Sequence, residues 1–170
     1  MPALQRDTMH YRFFSLLLAA ALLGGAGAAG AHVMLPPGSA EAGSTYDAAF
    51  SVGHACAGAQ ATTALVVHLP AGFRLLQAQP RPGWSLSAPP AGSAGGAVQW
   101  RADTPAAALH GHDKAVFSLR GVLPEEPGTL YFPVQQICDV GQADWVQQPA
   151  PGESTKLAMP AARLEVRAPQ

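Results

Sequence analysis

Short apolar runs alternate with Pro and Gly along most of this chain. They fall at residues 46–52, 62–69, 73–78, 84–87, 97–101, 115–120, 130–136 and 162–167, each rich in β-branched or apolar residues and bounded by turn formers. In 116–120, Phe117 and Leu119 share one parity and Ser118 and Arg120 the other, the period-two pattern of a strand with a buried and a wet face. By the same parity His68, out of phase with Val67 and Leu69, faces solvent. The breaks have a mechanism. Pro36-Pro37-Gly38, Pro70-Ala71-Gly72, Pro82-Gly83 and Pro127-Gly128 set a fixed φ beside a residue that tolerates positive φ. With 16 Pro and 18 Gly, helix has little room, and only 105–109 suits a single helical turn. Residues 88–96 read as a low-complexity, mobile hairpin tip. The pattern predicts an all-β sandwich.

The first thirty residues depart from this pattern. Arg6 and Arg12 precede an apolar run over 13–23, and small residues end at Ala29-Gly30-Ala31, the layout of an export signal cut before His32. The run is short and Gly/Ala-rich for a membrane span, which needs about 20 apolar residues. The expected organisation is therefore a signal peptide over 1–31 and one β-sandwich domain over 32–170, long enough for a single core. Of ten Lys and Arg and eleven Asp and Glu, Arg6, Arg12 and Asp7 precede His32, so the remainder carries a net charge of −2 with His neutral. Nothing in that balance recruits nucleic acid. No later apolar run is long enough for a transmembrane segment. A periplasmic location is expected, with an extracellular one as the alternative.

Export changes the meaning of the two cysteines. Cys56 and Cys138 both follow the cut, where oxidising conditions favour a disulfide. The alternative, a metal-ligating or redox pair, lacks C-x-x-C spacing. Export also changes the meaning of His32. An N-terminal histidine offers its α-amine and imidazole Nδ1 to one ion in a single chelate ring. The α-amine has a reference pKa of about 7.7–8.0, and nitrogen-rich sites prefer copper(II) among divalent ions. The plain alternative is that His32 is where the signal ends, in a frayed terminus without metal. An N-terminal copper motif with His at the third position does not apply, because Met34 stands there.

Other chemistry is sparse. His54 sits beside Cys56, where it can hydrogen-bond locally or act as a ligand, and His110 and His112 alternate around Gly111 on a loop. Only Met34 and Met159 follow the cut, too few for a thioether copper(I) site. Trp84, Trp100 and Trp145 are core or sandwich-edge residues by default. No nucleophile elbow, Gly-rich phosphate loop or paired-carboxylate signal is present.

The ordered set Ala31-His32-Val33-Met34-Leu35-Pro36-Pro37, Glu41-Ala42-Gly43-Ser44, Gly53-His54-Ala55-Cys56, Arg81-Pro82-Gly83-Trp84, Pro127-Gly128-Thr129-Leu130-Tyr131-Phe132 and Val134-Gln135-Gln136-Ile137-Cys138 through Asp144-Trp145 resembles the YcnI-like copper-binding proteins. The resemblance implies an immunoglobulin- or cupredoxin-like β-sandwich that binds copper(II) through its first residue, a single-histidine brace formed here by His32. It also implies a tryptophan near the metal, matched by Trp145. Many relatives carry an acidic Tyr-Asp-Glu-Phe segment where this chain reads Lys114-Ala115-Val116-Phe117, so Glu41, Asp113, His110, His112 or water would complete the coordination. Glu41 ranks first among the carboxylates, nine residues from His32 and able to return to the same edge of the sandwich.

The function expected is copper sequestration or delivery by ligand exchange with periplasmic or membrane copper-handling proteins, without catalysis. Two alternatives stand beside it. One is a copper monooxygenase-like enzyme using His110 or His112 as a second imidazole. The other is an exported protein-interaction module without metal.

Overall fold

Alternating apolar residues bury one face of a strand and Pro/Gly pairs end it, and a computed structural model describing residues 32–153 and 156–170 has twelve strands on this plan. The expected signal peptide over 1–31 lies outside the described residues. The strands are β1 (Ser39–Glu41), β2 (Thr45–Val52), β3 (Ala61–His68), β4 (Arg74–Ala78), β5 (Trp84–Ser87), β6 (Ala97–Ala102), β7 (Leu109–His110), β8 (Ala115–Val122), β9 (Gly128–Phe132), β10 (Val134–Cys138), β11 (Gln142–Trp145) and β12 (Ala162–Arg167). A single 3-10 turn, Pro105–Ala107, occupies the place where one helical turn was expected.

One sheet runs β11-β10-β3-β6-β5, with β7 also paired to β3. A second runs β2-β8-β4 and a third β1-β12-β9. Among the described strands, pairings are antiparallel except β1 with β12. The sheets share one core. Phe117 of β8 meets Trp84 of β5 and Trp100 of β6, with ring centres 5.2 and 5.5 Å apart. Phe132 of β9 meets Phe50 of β2 and Phe73 at 5.5 and 5.3 Å. Such tilted and edge-on contacts suit rings with negative faces and positive edges. The architecture is an all-β sandwich.

Two differences from the sequence reading have physical causes. The run 130–136 is two strands, because Pro133 has no N–H for a ladder and the chain changes sheets there. Its carbonyl accepts from the His68 N–H at 2.9 Å. The loop over 88–96 is the β5–β6 connection, but its backbone is tied to the rest. Gly92 N–H donates to Leu75 O at 2.7 Å, Leu75 N–H to Ser93 O at 3.0 Å, and Leu69 N–H to Gly96 O at 2.9 Å. Gly121 serves packing. A Cβ there would overlap the Phe73 ring and lie 2.7 Å from the Arg74 carbonyl oxygen.

Candidate functional site

The segment ahead of β1 places His32. Val33 and Leu35 are buried and Met34 is exposed, an alternation that pins the segment to the sandwich. Met34 N–H donates to Ser51 O at 3.3 Å and Ser51 N–H to Met34 O at 2.9 Å, so the segment pairs with the end of β2. His32, half-buried, reaches β11, where its ring centre lies 5.5 Å from that of Trp145 with planes at 39°. Two open grooves meet at this histidine. One, of about 410 Å³, is lined by Val33, Leu35, Tyr131, Glu153 and Arg163 among others. The second, of about 520 Å³, runs along Ser51, His54, Lys114 and Val116.

Trp145 is buried, at 3% exposure, and its orientation is set from beneath. Its indole N–H donates to Gln136 Oε1 at 3.2 Å. Gln136, fully buried in β10, donates through Nε2 to the His54 carbonyl at 2.7 Å and to Thr62 Oγ1 at 2.8 Å. A buried amide costs stability unless its donors and acceptor are engaged, and here both kinds are. The sequence reading did not single out Gln136. Its signal was parity, since a glutamine between the inward-facing Val134 and Cys138 must itself point inward.

Cys56 and Cys138 form a disulfide across 82 positions, and among the described residues no free cysteine remains. The bridge ties the loop bearing His54 to the end of β10. Cys56 N–H donates to Cys138 Sγ at 3.0 Å. Asp139 follows, its carboxylate accepting backbone N–H groups of Gln60 and Val140 at 3.0 Å and of Ala61 at 3.2 Å. These bonds hold its pKa below the usual aspartate value.

The other candidates disperse. Glu41 is not brought to His32. It pairs with Arg167 at the far end of β12, whereas Ala162 and Arg163 at the near end line the His32 groove. Five strand steps, about 16 Å, separate those ends. Parallel pairing carries the chain away from His32, so it does not return to the same edge. Among the described residues, Glu153 is a carboxylate that does share a groove with His32. His110 pairs with Ala61, and its Nε2–H donates to the Pro105 carbonyl at 2.9 Å. His112 stacks edge-on against His54, ring centres 6.1 Å apart, and Asp113 accepts the His110 N–H at 3.1 Å. His68 is exposed, as its parity requires, at 3.5 Å from Gln135 Oε1. Among the described residues no group of three or more His, Cys, Asp or Glu side chains is arranged to hold a metal ion, and no helix is long and apolar enough to cross a membrane.

No curated protein matches the chain. Among solved structures it is similar to an uncharacterized protein from Nocardia farcinica, whose crystal structure is described as revealing an immunoglobulin-like fold. The match has 27% identity and a TM-score of 0.66, over 79% of this chain and 97% of that one. It also matches a chain of a type I cohesin–dockerin complex from Clostridium thermocellum, at 11% identity and a TM-score of 0.45, over 80% of this chain and 98% of that one. Residues 32–166 match the family described as a domain of unknown function (DUF1775), and this chain belongs to that family.

Proposed function

We propose that the protein is exported, begins at His32 after processing, and binds one copper(II) ion as a periplasmic carrier or sequestering protein rather than as an enzyme. The observation that carries this reading is the seat of His32, its imidazole against the buried Trp145 where two grooves meet. A single-residue chelate needs an imidazole held in place beside a backbone nitrogen that solvent and a partner can reach. The indole, with its ring centre 5.5 Å away, supports the first condition, and the two grooves that His32 lines support the second.

The donor chemistry fits. An α-amine and an imidazole are nitrogen ligands of the kind copper(II) takes in preference to the other divalent first-row metals. One residue supplying two donors removes the need for a side-chain cage. Trp145 forms an apolar wall on one side, and its N–H is already committed to Gln136, so the indole is fixed by a buried hydrogen bond. Such outer-shell bonds orient a metal site without touching the ion. Glu153, in a groove wall with His32, is the side chain we assign as a further donor.

Ligand exchange with periplasmic or membrane copper-handling proteins moves the ion without bond-making chemistry. The test compares protein starting at His32 with a copy bearing one extra Ala before it, by competition titration with copper(II). Tight one-to-one binding only by the first copy supports the brace. Equal binding by both, or none by either, overturns it.

A further inference from the structure

The His54–His112 pair lies outside the brace, and no hydrogen bond among the described residues engages either ring's nitrogens. Both rings are accessible, His54 half-buried and His112 exposed. Their loops are joined to each other and to the sandwich. Ala55 N–H donates to Gly111 O at 3.3 Å, and Gly111 N–H donates to Gln60 O at 2.8 Å. The His54 carbonyl is held by Gln136 at 2.7 Å, and Cys56, two residues on, is fixed by the disulfide. Two imidazoles are thus presented side by side from anchored backbone.

An ion about 2.0–2.1 Å from one nitrogen of each ring places the ring centres about 4.5–6.3 Å apart, according to the angle at the metal. The observed separation is 6.1 Å. We infer that His54 and His112 form a second metal site, a two-imidazole chelate for a late first-row divalent ion, completed by water. Copper(II) heads the affinity order for such nitrogen donors. His54 also lines the groove that His32 lines, so an ion held here stands beside the route to the brace. The chelate itself uses no nitrogen of His32.

The experiment titrates copper(II) chloride into processed protein carrying His32→Ala, which removes the brace imidazole. One equivalent is expected to bind. Because even outer-shell changes cost about 10–100-fold in affinity, loss of a direct ligand in H32A/H54Q or H32A/H112Q is expected to weaken binding by at least about 10-fold. H32A/H110Q should match H32A. Zinc(II), as a diamagnetic probe of H32A, should shift the ring resonances of His54 and His112 in NMR spectra. His112 is exposed, so H112Q tests the site without disturbing the core. No binding by H32A, or binding that survives both H54Q and H112Q, would overturn the second site and leave the brace reading standing.

Discussion

Replacing Gln136 with Leu keeps roughly the shape of a side chain with no solvent exposure while deleting one acceptor and two donor contacts. Three groups then lose their bond to Gln136: the Trp145 indole N–H, the His54 carbonyl and the Thr62 hydroxyl, which keeps its contact with Cys138 Sγ at 3.8 Å. A buried polar group left unsatisfied costs about 1–3 kcal/mol. The Thr62 hydroxyl can rotate, and the half-buried His54 loop can admit water, so the indole should bear the largest share. The expected loss is about 2–4 kcal/mol, a large fraction of the ~5–15 kcal/mol that holds a domain folded. Urea unfolding monitored by tryptophan fluorescence and circular dichroism measures it, with the m-value as the check that the same transition is observed. Adding Thr62→Val should cost less in the Q136L background than in the wild-type protein, by about 1 kcal/mol, because the hydroxyl has already lost the Gln136 amide. A Q136L loss below about 0.5 kcal/mol, or additive single effects, would refute the idea that this amide organises the indole, since exposed and uncoupled changes behave that way.

Gly121→Ala should destabilise by about 3 kcal/mol or more, read as a lowered urea midpoint, because its Cβ collides with the Phe73 ring and the Arg74 backbone. Reducing Cys56–Cys138 reopens a loop spanning 82 positions. In the chain-entropy model this lowers stability by about 4–5 kcal/mol, measured by unfolding with and without reductant. Asp139 has a folded pKa below its unfolded value, so its stabilisation is present above the ordinary aspartate range near pH 4 and fades as pH falls through the folded pKa. Asp139→Asn should therefore flatten the acid limb of a stability–pH profile, and an unchanged slope would count against the three backbone bonds.

The sandwich was legible because parity is local: β5 and β12 coincide with their predicted runs, and the Phe117/Leu119 alternation of β8 is that of the core. β1, β7 and β11 were not legible, since Ser-Ala-Glu, Leu-His and Gln-Ala-Asp-Trp each hold at most one large apolar residue and show no period-two alternation, unlike the Trp84-Ser85-Leu86-Ser87 of β5. The candidate site was legible only in part. His32 stands out by its place after a small-residue stretch, and the resemblance pointed to Trp145, which the structure puts beside it. The position of Glu41 depended on the direction of β1 against β12, a long-range pairing that no local pattern encodes. The meeting of His54 with His112 likewise depends on how loops 58 positions apart fold back on one sheet end.

The central claim is that the α-amine and the imidazole Nδ1 of His32 hold copper(II). Pulsed electron paramagnetic resonance on processed protein carrying His54→Gln and His112→Gln, loaded with less than one equivalent of copper(II), tests it most directly. The account predicts one imidazole and one amine nitrogen coupled to the copper, with the amine coupling changing when the His32 α-nitrogen alone is isotopically labelled. A spectrum without nitrogen coupling, or one with imidazole coupling that persists unchanged in His32→Ala, would contradict it.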